Sequence, residues 1–487
     1  FDHVEVHASH GYLLSAFLSP FTNRRDDEYG GDVGRRARLT CEIVAAIRRE
    51  VGHAMTIGVR INGTDFVEGG STLEDSVAQC RLIAAEGVDL FHVSAGTPDA
   101  FDQEFPLGYE EPGCYRHLAR AVRDATGLPV IAVGRINTPA TADEIIAGGD
   151  ADLVAIGRAL IADPSFVRKA ATGEEDGIRP CIACNVCVDK EPGPFPPTPC
   201  SVNPLAGREA LFGIAPAGEA RRVLVVGAGP AGLEAARVAA QRGHEVVVLD
   251  QAAQPGGQMA IAATLPHKTD FGRWLRYAHS AAERAGASFR FGTALDREQL
   301  AAIRPEVAFL ATGAVPGVLF VPGGNLPHVL QAVDVLRDAP QLGREILVVG
   351  GTRVGLITAE QLAHEGHRVT VLEPGADVAA EMGYTFKKGV FRRLAAHGGS
   401  VLTRSRVLRI REGWVQVSHD GHLAAGRSEI VERPADHVIL ALERMPNREG
   451  AFLLNEAGIL WTAIGDCLEP RRIINAVHEG ARAAMVL

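Results

Sequence analysis

The chain has 487 residues, 46% of them hydrophobic, and a formal net charge of −10, enough for two or three packed domains. No basic stripe is available to neutralise a phosphate backbone, which excludes nucleic acid as a partner. The apolar runs are short and broken by glycine, as in VLVVGAGPAGL, well under the roughly 20 residues of a membrane helix, which excludes a membrane.

The first residues, FDHVEVHASHGYL, start without Met inside an alternating apolar strand, so the chain reads as a fragment. From residue 1 to 172 strand patterns alternate with helix patterns: HVEVHA, a helix near 34–50, MTIGVRI, a helix near 73–86, LFHVSAG, a helix near 115–126, VIAVGRI, a helix near 139–147, and LVAIGRA. Strands separated by crossover helices predict a parallel sheet covered on both faces, an α/β barrel portion. In such barrels the loops after the last two strands commonly hold a cofactor phosphate. Here those loops offer the amides of Gly134 and Gly157 with Arg135 or Arg158. Arg60 ends the strand IGVR, where it could set positive charge beside a reduced flavin. Taken singly, each arginine is equally a surface salt bridge. At the end of the first strand stand His7, His10 and Tyr12. A neutral His pair can hold an oxyanion and a Tyr hydroxyl can donate a proton, whereas one His alone would be structural.

Residues 173–219 change character: EPGPFPPTP places five prolines in nine residues, a stiff connector. Around it four of the eight cysteines follow the spacing C-x2-C-x2-C-x12-C, at Cys181, Cys184, Cys187 and Cys200. Three closely spaced thiolates can wrap three corners of an iron–sulfur cube and a fourth can close it, which points to a [4Fe-4S] cluster carrying single electrons between two other centres. Zinc and unliganded thiols are the alternatives. Cys41, Cys80, Cys114 and Cys467 are scattered singly, as inert core thiols of a reducing cytoplasm are.

Two units of one design complete the chain. In RRVLVVGAGPAGLEAARVAAQRGHEVVVLD, Gly227, Gly229 and Gly232 form G-x-G-x-x-G between a strand and a helix, with Asp250 ending the next strand. Such a loop brings backbone amides and a helix N-terminus to a pyrophosphate, and the acid suits a ribose hydroxyl. The segments ATG, ending at Gly313, and IGDC, with Asp466, support the same dinucleotide site. In REILVVGGTRVGLITAEQLAHEGHRVTVLE, Gly350, Gly355 and Glu373 keep the pattern, but Thr352 stands where the middle glycine would be. A Cβ there takes room from the phosphate. The unit is therefore either a nicotinamide site, with Glu373 favouring NADH over NADPH, or a structural domain. The expected layout is a barrel over 1–172, the cysteine segment over 173–219, a Rossmann-like FAD-type domain over 220–338 and 436–487, and a Rossmann-like NAD(P)-type domain over 339–435.

VEVHASHGYLLSAFLSPFTNRRDDEYGGD resembles the flavin-barrel segment of the old yellow enzyme family, and the whole chain is similar to its long iron–sulfur flavoprotein branch, that of 2,4-dienoyl-CoA reductase and trimethylamine dehydrogenase. The resemblance implies a partial (β/α)8 barrel entered at its fourth strand, followed by two Rossmann-like domains. It implies FMN in the barrel, with His7 and His10 anchoring substrate, Tyr12 donating a proton, Arg60 near the flavin N1, and Gly134, Arg135, Gly157 and Arg158 around the phosphate. FAD, or ADP in its place, and NAD(P)H would occupy the later domains. The run at Gly257 and Gln258 resembles the FAD-binding reductases, whereas the cysteine spacing is closer to trimethylamine dehydrogenase. Three activities follow: NAD(P)H-driven reduction of an activated C=C, oxidation of an N-methyl amine with electrons leaving to an electron-transfer protein, or a non-catalytic binding module. In each case the ligand is a small molecule, with residues 97–113 expected to line its pocket.

Overall fold

A computed structural model describes residues 1–189, 198–211, 213–420 and 429–487. Most of the proline-rich connector lies outside the described residues. The chain divides into two compact units, Phe1–Val188 and Asp189–Leu487.

In the first unit five strands, β1 (His3–Ala8), β2 (Thr56–Asn62), β3 (Leu90–Ser94), β4 (Val130–Ala132) and β5 (Leu153–Val154), lie side by side in chain order and all parallel. Successive parallel neighbours require a crossover each time. The helices Val33–Val51, Leu73–Ala84, Arg116–Thr126 and Pro139–Ala147 provide them. Local chemistry sets their ends. Asp32 accepts from Arg35 N, Thr72 and Asp75 form a reciprocal capping box, Thr138 accepts from Thr141 N ahead of Pro139, and Gly127 closes its helix at φ 66°. The core is Val59, Ile61, Phe91 and Val93 from the strands against Val44, Ile83, Leu118 and Ile145 from the helices. Full burial of each such aliphatic side chain contributes about 1.5–3 kcal/mol. β4 and β5 are shorter than their apolar runs, so Gly134, Arg135 and Gly157 fall in loops at the carboxyl ends of the strands and Arg158 starts the short helix after β5, where barrel sites gather.

The second unit holds two parallel five-stranded sheets. The first contains β6 (Arg222–Val226), β7 (Glu245–Leu249), β8 (Ser288–Arg290) and β9 (Val307–Leu310). The second contains β10 (Val329–Gln331), β11 (Glu345–Val349), β12 (Arg368–Leu372) and β13 (Ser400–Leu402). Three further strands, β14 (Ser405–Arg411), β15 (Gly413–His419) and β16 (Glu429–Ala435), precede β17 (His437–Leu440), which joins the second sheet, and β18 (Leu460–Ala463), which joins the first. The orders are β18-β9-β6-β7-β8 and β10-β17-β11-β12-β13. In each, the strand before the glycine loop is central and the order reverses beside it, the place where open α/β sheets bind nucleotides. Strands β14–β16 form a separate antiparallel sheet packed over the second parallel one through Val407, Ile410, Val415 and Val417 against Val349, Leu372 and Val438. The alternating burial of β15 is visible in WVQV, but the expected layout absorbed it into a nucleotide-type domain.

Candidate active site and nucleotide sites

Where β1 ends, the chain turns sharply. His10 and Gly11 adopt φ 63° and 72°, and a Cβ on Gly11 would lie 2.6 Å from Pro98 Cδ. Asn62 at the end of β2 holds this turn. Its Oδ1 accepts from His10 N at 3.2 Å, and its Nδ2 donates to Asp65 Oδ1 and Gly96 O, both at 2.9 Å. The turn brings His7, His10 and Tyr12 together as expected, with ring centroids 5.4 Å apart for the His pair and 5.2 Å for His7 and Tyr12. His10 Nε2 is 2.7 Å from Ser94 Oγ at the end of β3, and His7 Nδ1 is 3.4 Å from Ser9 Oγ. Tyr12 is exposed.

Arg60 lies opposite His7 in the sheet register. Its Nε is buried and has no hydrogen-bond partner, and burial lowers its pKa, against the opposing charges of Glu5 and Glu104. A half-buried guanidinium whose buried Nε is unsatisfied is costly unless an anionic or electron-rich group completes it, and a flavin edge fits that need. Burial first, then Arg60, lowers the pKa of His7, and the same causes drop His10 to about 3, so both imidazoles are neutral.

Ser94, Asn62 and Glu104 were not singled out from the sequence. Glu104 ends a short helix, Phe101–Glu104, inside the 97–113 loop. The loop residues resemble solvated acids when read alone, and nothing in their spacing marks one as buried. The phosphate candidates are placed at their strand ends. Gly134 has φ 116° and no room for a Cβ, which would meet Tyr115 Cδ2 at 2.6 Å. Gly157 caps a short helix, Arg158–Ala162, and a Cβ there meets nothing within 4 Å. Arg135 donates to Glu110 O, and Arg158 donates to Asn185 Oδ1 and, at 2.8 Å, to Pro106 O. Both arginines are thus already tied to the scaffold.

None of the eight cysteines is in a disulfide. Cys181, Cys184 and Cys187 close the first unit and Cys200 opens the second. Among the described residues no group of three or more His, Cys, Asp and Glu forms a metal cage. The backbone between the first three turns twice through positive φ, at Ala183 (48°) and Asn185 (58°), and Ala183 N donates to Cys181 Sγ at 3.5 Å. Three cysteines this close in the chain, one of them accepting from a backbone N–H, fit iron–sulfur ligation. Cys200 O is 2.9 Å from His478 Nε2. Burial pushes Cys41 up to about 11 and Cys114 to about 12, and raises Cys80 further, as inert core thiols require.

The two glycine loops can be compared atom by atom. Added Cβ atoms would strike carbonyls at 2.4 Å on Gly227 and 1.9 Å on Gly232, and at 2.4 Å on Gly350 and 2.0 Å on Gly355, so these four glycines are packing necessities in both. Gly229 differs: a Cβ there meets nothing within 4 Å, leaving an open cradle at the N-terminus of the helix Pro230–Gln241, where a pyrophosphate fits. A Cβ on Gly257 would lie 3.5 Å from Gly229 Cα, and Gln258 Nε2 donates to Asp466 Oδ2 at 3.2 Å, so the predicted residues converge. Gly313 O accepts from Asn447 N at 2.9 Å. Asp250 spends both oxygens on backbone, accepting from Ala228 N at 2.7 Å and Ala252 N at 2.8 Å. Arg444, unmarked by any motif, has its Nη1 4.0 Å from Asp466 Oδ2, and its buried Nε and Nη1 make no hydrogen bond.

In the second loop Thr352 Oγ1 donates to Ala441 O at 2.8 Å and accepts from Gly355 N at 3.2 Å, capping the helix Arg353–His364. Glu381 Oε1 accepts from Arg353 N at 3.2 Å, and Glu373 accepts from Gly351 N at 2.8 Å and Gly375 N at 2.6 Å. The helix N-terminus that would receive a phosphate is served by the protein's own oxygens.

The model of the NADH:flavin oxidoreductase / NADH oxidase family matches residues 1–177, and that of the pyridine nucleotide-disulphide oxidoreductases matches residues 221–468. An NADH oxidase of Thermoanaerobacter brockii is 37% identical over 99% of this chain and 74% of its own length. An N,N-dimethylglycine/sarcosine dehydrogenase of Chromohalobacter salexigens is 31% identical over 99% and 76%. A solved 2-naphthoyl-CoA reductase in complex with 2-naphthoyl-CoA superimposes with a TM-score of 0.89 and 30% identity, covering 100% of this chain and 74% of that one. None of the described helices is long and apolar enough to cross a membrane. The matches carry flavin and nicotinamide nucleotide binding on a barrel followed by Rossmann-like layers, and the chain belongs to the NADH:flavin oxidoreductase / NADH oxidase family, in its old yellow enzyme and 2,4-dienoyl-CoA reductase-like branch.

Proposed function

We propose that this oxidoreductase uses NAD(P)H to reduce an activated C=C, an enone or enoyl thioester, in a reducing cytoplasm. The observation that carries the reading is the gathering of neutral His7 and His10 with Tyr12 beside the unpartnered Arg60. When bound, FMN, FAD and a four-iron cluster held by Cys181, Cys184, Cys187 and Cys200 supply hydride and single-electron transfer. The protein's own part is to place and charge the substrate. His7 and His10 hold the carbonyl oxygen, which draws electron density from the double bond. Tyr12 holds the proton that the second carbon takes up. Arg60 offsets negative charge at the flavin, and Gly134, Arg135, Gly157 and Arg158 line its phosphate end. Gly227, Gly229, Gly232, Asp250, Gly257, Gln258, Gly313 and Asp466 hold FAD or ADP within 220–338 and 436–487, and Gly350, Gly355 and Glu373 mark the nicotinamide site within 339–435. The barrel over 1–172 and the cysteine segment over 173–219 complete the layout.

The test is anaerobic mixing of the full-length protein with NADH and then 2-cyclohexenone. NADH is expected to bleach the flavin and the enone to restore its colour. Tyr12→Phe is expected to slow the second phase by about 10²-fold or more and the first far less. The capped second loop favours a competing reading, an amine dehydrogenase that does not use NADH. No bleaching by NADH together with rapid bleaching by an N-methylated amine would establish that reading instead.

Thr352 provides a second check. Thr352→Gly removes the hydroxyl that caps the loop, at a helix cost of only a few tenths of a kcal/mol, and opens the cradle to the state seen at Gly229. Tighter NADH binding, read as a several-fold lower KM in the flavin-bleaching phase, is expected. An unchanged KM would remove the nicotinamide assignment from this loop.

A further inference from the structure

Glu104 is the feature of the barrel mouth that the roles above leave unused. Its side chain is 7% exposed, and its Oε1 stands 4.0 Å from His10 Nδ1. The position is held from behind by Gly96, at φ 88°, where any Cβ would lie 2.7 Å from both Glu104 N and Glu104 Cα. The other ring nitrogen of His10 is engaged at 2.7 Å with Ser94 Oγ, so Nδ1 is the nitrogen that faces Glu104. Charged and titratable groups around the pair come from three strands. Arg60 of β2 acts on both residues, His92 of β3 and His7 of β1 act on His10, and Glu5 of β1 acts on Arg60. Burial outweighs Arg60 and raises Glu104 to about 7.

We propose that Glu104 is a positioning residue that acts through His10 on the carbonyl oxygen of the substrate. As the neutral acid it donates a hydrogen bond to His10 Nδ1, which fixes the ring proton at Nε2, where the substrate oxygen takes it over from Ser94 Oγ and negative charge can develop on that oxygen. As a carboxylate it reverses that tautomer and sets a like charge beside the developing oxyanion, which opposes the reaction. The geometry relaxed without substrate is 4.0 Å, and such contacts tighten in the reactive complex. The sign follows directly: the active form is the one present below about pH 7.

This inference rests on the alkene-reductase reading, and the experiment separates the two. Alkene-dependent reoxidation of the NADH-reduced, full-length protein is followed with 2-cyclohexenone on both sides of pH 7. In the wild type the rate is expected to fall above pH 7, approaching about tenfold per pH unit. Glu104→Gln, neutral at every pH, is expected to abolish that decline, and Glu104→Asp to keep one. The infrared pH-difference spectrum is expected to show a carboxylic acid band titrating near pH 7 that Glu104→Gln lacks. The same alkaline decline in Glu104→Gln, or an unchanged infrared titration in that variant, overturns the proposal. Failure of the wild type to reduce 2-cyclohexenone at any pH overturns the functional reading and this role with it. That case is distinguished by an infrared band that still reports the Glu104 proton.

Discussion

Cys184→Ala in the full-length protein, purified anaerobically, is expected to lose its iron and its NADH-driven turnover while NADH still bleaches part of the flavin absorbance. The wild type is expected to hold about four irons per chain, with broad absorbance beyond the flavin bands, as four thiolates at this spacing imply. Removing the middle cysteine leaves Cys181 and Cys187, with five residues between them in the chain, as the remaining thiols of the first unit's closing segment, so no substitute ligand is at hand there. Loss of turnover is expected to be near complete, because electrons entering at the second unit would have no route to the barrel. Elemental analysis finding zinc without iron, or a Cys184→Ala protein with undiminished turnover, would set the cluster aside.

The second large effect is expected at Gly232. A Cβ there would lie 1.9 Å from Gly227 O and 3.2 Å from Val225 Cγ1, so Gly232→Ala must push the helix Pro230–Gln241 away from β6. Overpacking of this kind costs about 1–3 kcal/mol, and here it also moves the helix N-terminus from the pyrophosphate seat. The expected result is a protein purified with little or no FAD and a lowered melting temperature, measured by flavin release on denaturation and by thermal unfolding. Gly229→Ala is the informative partner, since its Cβ meets no protein atom. It should lose FAD affinity with little change in the stability of the flavin-free protein. Full FAD content in both variants would remove the dinucleotide from this loop.

The need for glycine at Gly232 and Gly355 was legible in the sequence because their constraint is local: each helix start closes on a carbonyl five residues back, whereas Gly227 and Gly350 are closed by Ala311 O and Ala441 O from far along the chain. The alternation of strands and helices in the first 172 residues is local in the same sense, and the parallel order β1 to β5 follows from it. His7, His10 and Tyr12 could be named because they are neighbours in the chain. What the tertiary structure alone decided is what those residues meet. Ser94, Asn62 and Arg60 reach His10 or its surroundings from strands far along the chain. The burial that makes Glu104 an acid of about 7 is produced by a loop folding over the strand ends. Thr352 shows the division most clearly: the sequence established that a Cβ stands in the phosphate cradle, and only the fold decided that its hydroxyl turns back to cap the helix, because Ala441 O and Gly355 N lie within hydrogen-bonding reach. Electrostatics and hydrogen bonds depend on distances in space, and residue spacing along the chain specifies those distances only inside a single turn.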